Sequence, residues 1–398
     1  MGFSGVDYYV LDELLTEDER LVRDTFRRFV DEEIMPKISG HFRAGTFPKE
    51  IVKRLGTLGA LGASLEGYGC AGLGAVAYGL INQELERGDS GIRSFASVQG
   101  SLVMYPIHAF GSETQKQRWL PAMAKGDAIG CFGLTEPDFG SNPTGMRTTA
   151  KKMGDKWVIS GEKRWITSGG ISDVAVVWAK TDDGDGDSGG QGGGKIRGFL
   201  VERGTPGFTT RDIEGKFSLR ASVTSELIFQ ECAVPLDAIL PGSGGLKSPL
   251  SCLSQARYGI SWGAVGAAMA CYDEALRYTK DRVQFKRPIA GYQLVQLKLV
   301  DMLEEITKAQ LLAWRLGRLK EAGKARPQQI SLAKRNNVRM ALEIARNARD
   351  LLGANGVTDE YQSGRHMCNL ESVFTYEGTD HIHTLIVGED ITGLAAFE

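Results

Sequence analysis

The hydrophobic periodicity of this chain changes twice along its length, and the order of the three patterns restricts the fold more than any other feature. From Thr16, which forms a capping-box pattern with Glu19, apolar residues recur at helical spacing up to about Ala128. Short β-rich runs such as DVAVVWAKT then alternate with turn residues. After Pro241, four long helical segments with short connections predict an antiparallel bundle.

The predicted fold class is therefore α+β. We expect an N-terminal α-helical domain over residues 1–128, a middle β-sandwich or β-barrel domain over residues 129–241, and a C-terminal four-helix-bundle domain over residues 242–398. A chain of 398 residues is long enough to bury a core of this size in two or three domains.

The charge balance and the cysteines exclude several classes of protein. There are 47 basic and 49 acidic residues and no basic run interleaved with aromatics, so nucleic acid is not an expected partner. The six cysteines are widely spaced without a CxxC motif, which predicts reduced thiols rather than disulfides or zinc ligands. No apolar run reaches membrane-spanning length, and the first residues do not resemble a targeting segment. These features predict a cytoplasmic protein without membrane insertion.

A glycine-rich stretch, Thr181–Lys195, contains two formal nucleotide-binding patterns. Gly184, Gly186 and Gly189 fit GxGxxG, but no helix follows and the flanks are acidic, which would repel a pyrophosphate. A P-loop-like run in the same stretch is followed by Ile196 where a Ser or Thr should bind Mg²⁺. We interpret the stretch as a flexible hairpin tip.

A single glutamate, Glu377, lies between Tyr376 and Gly378 near the end of the helical pattern. A glutamate at a helix start can simply favour the positive end of the helix dipole, so the local sequence also admits a structural role. His381 and His383 follow at i, i+2 spacing, which places them on different faces of a helix. We therefore expect no metal site here.

Five motifs in order, FGLTEPDFGSN, RWIT, DRVQFKRPIAGYQ, DLLGANG and YEGT, together resemble the acyl-CoA dehydrogenase superfamily over essentially the whole chain. The resemblance implies a homotetramer with one FAD per subunit, its adenosine end reaching a neighbouring subunit. Glu377 stands where the family has its catalytic base. Removing a proton next to a thioester requires a carboxylate in a water-poor site and donors to the thioester carbonyl. In the family these donors are the backbone N–H of the base and a ribityl hydroxyl of the flavin.

The resemblance also assigns flavin contacts residue by residue. They are Phe132, Gly133, Leu134, Thr135 and Ser141 along the flavin; Trp165, Ile166 and Thr167 behind it; Arg282, Phe285 and Gln293 at the diphosphate and adenosine; Asp350, Leu351, Leu352, Gly353 and Ala354 across the subunit interface; and Thr379 and Phe397 at the C-terminal end. Phe139, Asn142 and the Asp380–His381 order depart from the family pattern, so no contact is assigned to those side chains.

The stretch ELERGDSGIRSFASVQGSLVMYPI resembles the glutaryl-CoA dehydrogenase branch, in which an arginine ends the acyl pocket. Arg93 matches that arginine, and a guanidinium can bind a distal carboxylate through two hydrogen bonds. Taken alone, Arg93 would be interpreted as one half of a surface ion pair. The remaining substrate contacts that the resemblance implies are Ser94, Ser97, Glu86, Ser141, Gln255, Ala256, Arg257, Tyr258, Gly259, Ile260, Ser261, Trp262, Tyr376 and Gly378.

The function that this resemblance implies is oxidation of glutaryl-CoA, with decarboxylation to crotonyl-CoA and electron transfer to an electron-transfer flavoprotein. Three alternatives stay open. The chain could be a short-chain acyl-CoA dehydrogenase or oxidase, or a glutaryl-CoA dehydrogenase that releases the glutaconyl thioester. It could also be a non-catalytic, DNA-binding flavoprotein of the same fold, although the retained Glu377 and the absence of a basic C-terminal patch argue against this.

Overall fold

The structure, a computed structural model, describes residues 3, 5–181 and 195–396. Most of the predicted glycine-rich hairpin tip and the predicted flavin contact Phe397 lie outside these residues.

The N-terminal part is helical, as predicted. Its helices are α1 (Glu17–Phe29), α2 (Met35–Ala44), α3 (Ile51–Thr57), α4 (Ala75–Gly88), α5 (Ser90–Ser97), α6 (Tyr105–Phe110) and α7 (Glu113–Ala124). The predicted capping box is confirmed, because the Thr16 hydroxyl accepts from the Glu19 N–H and the Glu19 carboxylate accepts from the Thr16 N–H. A π-helical segment, Val98–Met104, joins α5 to α6.

The middle part is a seven-stranded sheet. Its strands are β1 (Gly130–Gly133), β2 (Thr149–Met153), β3 (Lys156–Thr167), β4 (Val174–Thr181), β5 (Lys195–Glu202), β6 (Phe208–Asp212) and β7 (Thr224–Pro235). β4 pairs in parallel with β1 and β2 and antiparallel with β5, while β2, β3, β7 and β6 follow one another as antiparallel neighbours. A bulge interrupts β3 between Lys163 and Ile166, and bulges of this kind redirect a side chain.

The C-terminal part returns to long helices, which pack on one another around α10. They are α8 (Lys247–Asp281), α9 (Gln293–Glu321), α10 (Pro327–Leu351), α11 (Ser363–Thr375) and α12 (Asp380–Thr392), with a short hairpin of β8 (Val283–Gln284) and β9 (Arg287–Pro288) between α8 and α9. The last predicted helical segment is in fact two helices. It breaks because Glu377 and Gly378 have positive φ values of 52° and 93°, which a right-handed helix cannot contain.

The helical, sheet and helical parts occur in the predicted α+β order, and α4 joins the first part to the last. Every residue of α4 is buried, and the helix packs against both α1 and α8. The proposed domain boundaries at 128/129 and 241/242 stay a prediction. Among the described residues, no helix combines the length and the apolar character that crossing a bilayer requires.

Candidate functional site

The turn between α11 and α12, residues Tyr376 to Thr379, holds Glu377 half-buried against the bundle, with its Oε2 directed away from solvent. Glu377 has a left-handed backbone conformation, which is costly for a residue with a Cβ and persists only where the surroundings enforce it. The next position must be glycine, because a Cβ at Gly378 would meet His383 Nε2 at 3.0 Å and Arg257 Nη2 at 3.1 Å in addition to the positive φ. Thr379 then caps α12 by accepting a hydrogen bond from the Ile382 N–H.

The Glu377 carboxylate lies in a water-poor site. Its Oε2 is buried and has no hydrogen-bond partner in the described part of the chain. Burial raises the pKa of Glu377 above its ordinary value, although the positive charges of Arg93, Lys334 and Arg257 oppose that shift. A buried carboxylate with a raised pKa and an unused oxygen can accept a proton from a bound molecule.

Arg93, on α5, is fully buried and close to this turn. Its Nε donates to Glu86 Oε2 at 2.7 Å, and its Nη2 donates to the hydroxyl of Tyr376, the residue before Glu377. Its Nη1 and Glu86 Oε1 have no partner among the described residues. Gly263 on α8 leaves room for the pair, since a Cβ there would overlap Glu86 Oε2. The interpretation of Arg93 as a surface ion pair is therefore excluded, and one guanidinium nitrogen remains available to a ligand.

The two predicted serines accompany Arg93 on α5. Ser94 is 2% exposed and Ser97 is fully buried. The Ser97 hydroxyl has no hydrogen-bond partner in the region that the structure describes. Unused buried donors and acceptors are costly in a folded protein, so this hydroxyl is a second polar group that a bound molecule could satisfy.

Two cations lie beneath the turn, and only one of them was predicted. Arg257 Nε donates to the Glu377 carbonyl at 2.6 Å. Lys334, on α10, was missed; its Nζ donates to the Gly378 carbonyl at 2.7 Å and also to the Tyr376 carbonyl. Burial lowers the pKa of Lys334 to about 7, although the charge of Glu377 opposes the shift. The sequence carried a signal, because Lys334 is on the apolar helix face of residues 330, 338 and 341.

The predicted substrate segment on α8 serves mainly to pack helices together. Of residues 255–262, Arg257 is the one that hydrogen-bonds to the turn in the described structure. The other seven have partners elsewhere: Gln255 accepts from Lys320, Tyr258 donates to the Ala75 carbonyl, Ser261 donates to the Tyr258 carbonyl, Trp262 covers Gly79, and Ala256, Gly259 and Ile260 are buried between helices.

The residues predicted to line the flavin lie at the end of β1 and just after it, and in the last part of β3. Phe132, Gly133 and Leu134 are buried, and the Thr135 carbonyl accepts from the Arg164 N–H at 2.8 Å. At the β3 bulge Trp165 has a positive φ of 63° and is 56% exposed. An exposed indole at a strained bulge is a candidate contact surface for an aromatic ligand.

A buried ion pair fixes the backbone at this segment. Lys163 Nζ donates to Glu136 Oε1 at 2.8 Å and to the Leu134 carbonyl at 3.2 Å. The other two residues predicted to lie behind the flavin follow Trp165 on β3. Ile166 is buried and Thr167 is half-buried. Ser141 is exposed on the loop after β1.

The residues that depart from the family pattern have partners of their own. The Phe139 ring fills the space over Gly145 and lies 5.4 Å from the Arg147 guanidinium, and the Asn142 carboxamide accepts from the Thr144 hydroxyl. Asp380 is buried in an ion pair with Arg339. His381 is exposed. His383 is buried, and its ring has no hydrogen-bond partner in the described residues. Burial lowers the pKa of His383 to about 2.

A second group of predicted residues lies on the surface of the bundle. Arg282, Phe285 and Gln293 are exposed around the β8–β9 hairpin, Phe285 by 90%. Arg282 makes no ion pair within the described part of the chain. The stretch predicted to cross a subunit interface covers the end of α10 and the three residues after it. Asp350 pairs with Lys298. Leu351 is half-buried, Leu352 is buried, and Gly353 and Ala354 are exposed. No described hydrogen bond or ion pair joins these residues to Glu377. Thus the predicted residues fall into three groups: one around Glu377, one at the end of β1 and the β3 bulge, and one on the outer surface of the bundle.

No three His, Cys, Asp or Glu side chains of the described residues are grouped closely enough to hold a metal ion. Among the described residues, the site around Glu377 contains two carboxylates, Glu377 and Glu86, three basic side chains, Arg93, Arg257 and Lys334, and several unused polar atoms.

Comparison with known proteins places this geometry in context. The chain matches the family models for the acyl-CoA dehydrogenase N-terminal domain over residues 16–127, the middle domain over 131–232 and the C-terminal domain over 243–392. It is similar to the crystal structure of a glutaryl-CoA dehydrogenase from Mycobacterium smegmatis in complex with FADH2, with 53% identity, a TM-score of 0.95 and full coverage of both chains.

Two further relatives carry different substrate names. Butyryl-CoA dehydrogenase from Megasphaera elsdenii is 32% identical, with a TM-score of 0.89, over 95% of this chain and 98% of that one. The human mitochondrial short-chain specific acyl-CoA dehydrogenase is 36% identical over 94% of this chain and 90% of its own length. All three relatives are named as dehydrogenases of acyl-CoA thioesters, one for glutaryl-CoA and two for short acyl chains.

Proposed function

Because this chain belongs to the acyl-CoA dehydrogenase family, and is thus an oxidoreductase with FAD as its cofactor, we propose that its substrate is glutaryl-CoA. The product is crotonyl-CoA, formed by oxidation at the α and β carbons and loss of CO₂. The observation that carries this proposal is the fully buried Arg93, whose Nη2 donates to the Tyr376 hydroxyl and whose Nη1 has no partner in the part of the chain that the structure describes.

The residues present fit FAD. The outward-facing Trp165 indole suits an aromatic ring system, and the unpaired guanidinium of Arg282 suits a diphosphate. Bound FAD supplies the acceptor for the hydride that leaves the β carbon. In this proposal Phe132 to Thr135 and Trp165 to Thr167 contact the flavin, and Arg282, Phe285 and Gln293 bind the rest of the cofactor.

Glu377 acts as the base that takes the α proton. In the described structure its Oε2 makes no hydrogen bond that would have to break before it accepts the proton. Its raised pKa makes the carboxylate a stronger base for the weakly acidic α carbon. The Glu377 N–H has no acceptor among the described residues, so it is free to bind the thioester carbonyl and stabilise the charge that develops there.

Arg93 selects the acyl chain. A methyl end would leave its buried Nη1 without a partner, which disfavours a butyryl group, whereas a carboxylate would satisfy it. Glu86 balances the guanidinium when no substrate is bound. The short-chain alternative rests on the names of the human and Megasphaera elsdenii relatives, but an uncharged acyl chain would give the buried Nη1 of Arg93 no partner.

The remaining parts of the proposal concern partners and location. Exposed apolar side chains surround the cofactor segment on the bundle, which supports burial of this face in a homotetramer; they are Val283, Phe285, Leu294, Leu297 and Val300. Transfer of electrons to an electron-transfer flavoprotein and a cytoplasmic location rest on the family resemblance and on six free thiols.

The direct test measures kcat/KM of the purified protein for glutaryl-CoA and butyryl-CoA with a dye acceptor, and the mass of the product. Preference for glutaryl-CoA with a crotonyl-CoA product supports the proposal, whereas a glutaconyl-CoA product rejects the decarboxylation. Preference for butyryl-CoA returns the chain to the short-chain alternative. Steady O₂ consumption without the dye would identify an oxidase.

A further inference from the structure

Three consecutive carbonyls in the turn that carries Glu377 each accept a hydrogen bond from a cation. Lys334 Nζ holds the carbonyls of Tyr376 and Gly378, and Arg257 Nε holds the carbonyl of Glu377 between them. Lys334 is 2% exposed, so its ammonium has little access to water and depends on these acceptors. Such a set of bonds determines the orientation of every peptide plane in the turn.

The orientation of one peptide plane matters for the reaction. The Tyr376 carbonyl and the Glu377 N–H belong to the same peptide, and in a trans peptide these two groups point in opposite directions. Since Lys334 fixes the carbonyl, it also directs the Glu377 N–H away from α10. That N–H is the donor that the proposed function assigns to the thioester carbonyl.

We propose that Lys334 is a positioning residue for proton abstraction, which holds the strained turn so that the Glu377 carboxylate and the Glu377 N–H act on the same thioester. The left-handed conformation of Glu377 supports this role, because such backbone strain persists only where its surroundings prevent relaxation. The Lys334 ammonium also lies 5.7 Å from the Tyr376 ring centre, so one side chain contacts the turn through both backbone and ring.

Loss of this positioning by Lys334 should raise the energy of the transition state more than it weakens substrate binding. Negative charge develops on the thioester oxygen as the α proton moves to Glu377, so a donor that is turned aside stabilises this charge less. The expected result for a misplaced donor is a fall in kcat of about 10- to 100-fold with KM changed by less than about threefold. This inference rests on the proposed role of Glu377, not on the identity of the acyl chain.

The test compares Lys334→Met with Lys334→Gln. Both side chains end one atom short of the lysine nitrogen, but only Gln retains an N–H donor. Arg335→Met is the matched control, because it removes a neighbouring cation of α10 that bonds to Thr384 and lies 3.8 Å from Asp380 but does not bond to the turn carbonyls. Each variant is first checked for FAD content and melting temperature.

Proton abstraction is measured by itself with (methylthio)acetyl-CoA, whose β position is sulfur and carries no hydride. Glu377 takes the α proton and, after exchange with D₂O, returns a deuteron, which mass spectrometry detects. We expect Lys334→Met to slow this exchange about 10- to 100-fold, Lys334→Gln to recover part of the rate, and Arg335→Met to stay within about twofold of the parent protein.

Equal rates for Lys334→Met and the parent would overturn the proposal, and so would equal loss in the Met and Gln variants. If Lys334→Met does not fold, Lys334→Gln decides: a lower kcat at unchanged KM supports the role, and an unchanged kcat refutes it. Because the probe has no distal carboxylate, a wrong assignment of glutaryl-CoA would alter the parent's substrate preference without altering these comparisons.

Discussion

Replacing Arg93 by Met tests the substrate assignment most directly. Met has similar length and flexible apolar surface, so it suits a butyryl chain and offers nothing to a carboxylate. Truncating one member of a desolvated charge pair costs about 2 to 5 kcal/mol. At about 1.36 kcal/mol per factor of ten, kcat/KM for glutaryl-CoA should fall roughly 30- to 5,000-fold. The value for butyryl-CoA should be unchanged or higher.

The structure also predicts a side effect that the assay must separate. Arg93 pairs with Glu86 at 2.7 Å and both side chains are fully buried, so the single variant leaves Glu86 without its partner. Loss of one partner of a buried pair destabilises a protein by about 3 to 5 kcal/mol. The double variant Glu86→Gln/Arg93→Met removes both charges and should regain much of the lost melting temperature while keeping the altered substrate preference.

The quantity to measure is the ratio of kcat/KM for glutaryl-CoA to that for butyryl-CoA, determined with the same dye acceptor. This ratio cancels general damage to folding or to flavin binding. If the ratio is the same in the parent protein and in both variants, Arg93 does not bind the acyl end and the reasoning fails.

Three other predictions concern the base and the cofactor. Glu377→Gln should keep the fold and the yellow flavin but lose about 10²- to 10⁴-fold in kcat, since an amide cannot take the proton, and residual activity above about a tenth would reject the base. Burial raises the pKa of Glu377, and the charges of Arg93, Lys334 and Arg257 oppose this shift. We therefore expect kcat/KM to fall as the pH drops through a midpoint above the ordinary pKa range of a carboxyl group. A midpoint at or below that range would contradict the assignment of a buried base. Arg282→Ala should release FAD and weaken the proposed homotetramer, measured by flavin absorbance and sedimentation, and full flavin occupancy would exclude the diphosphate contact.

The order of helical and sheet regions could be predicted because long amphipathic patterns and the Thr16 capping box are local signals. β2 could not be predicted in the same way. β2 reads TAKKM, whose charged residues are exposed, and only its pairing with β3 and β4 makes it a strand. The helix break at Glu377 was missed for a similar reason, because its positive φ is enforced by contacts with α8 and α10 rather than by its own sequence.

For the site, Glu377 and Arg93 were identified through family resemblance, since each alone has the properties of an ordinary surface charge. The structure brings the two together through Tyr376, which no sequence spacing could reveal. For Lys334 the sequence carried a signal, but the signal did not identify the contacts of its side chain. A lysine on an apolar helix face is unusual, but only the fold determines whether it extends to solvent or contacts a turn from another helix.

The complete burial of α4 has a consequence for how the chain is made on the ribosome. α4 ends at Gly88, but α8, which covers one of its sides, begins at Lys247 and follows the entire sheet. During synthesis α4 therefore leaves the exit tunnel long before α8 exists, and the apolar side chains that face α8 stay uncovered until the bundle is translated. A contact between such distant parts of the chain also slows folding. The nascent chain should for this reason be prone to aggregation and dependent on chaperones until its last third has emerged.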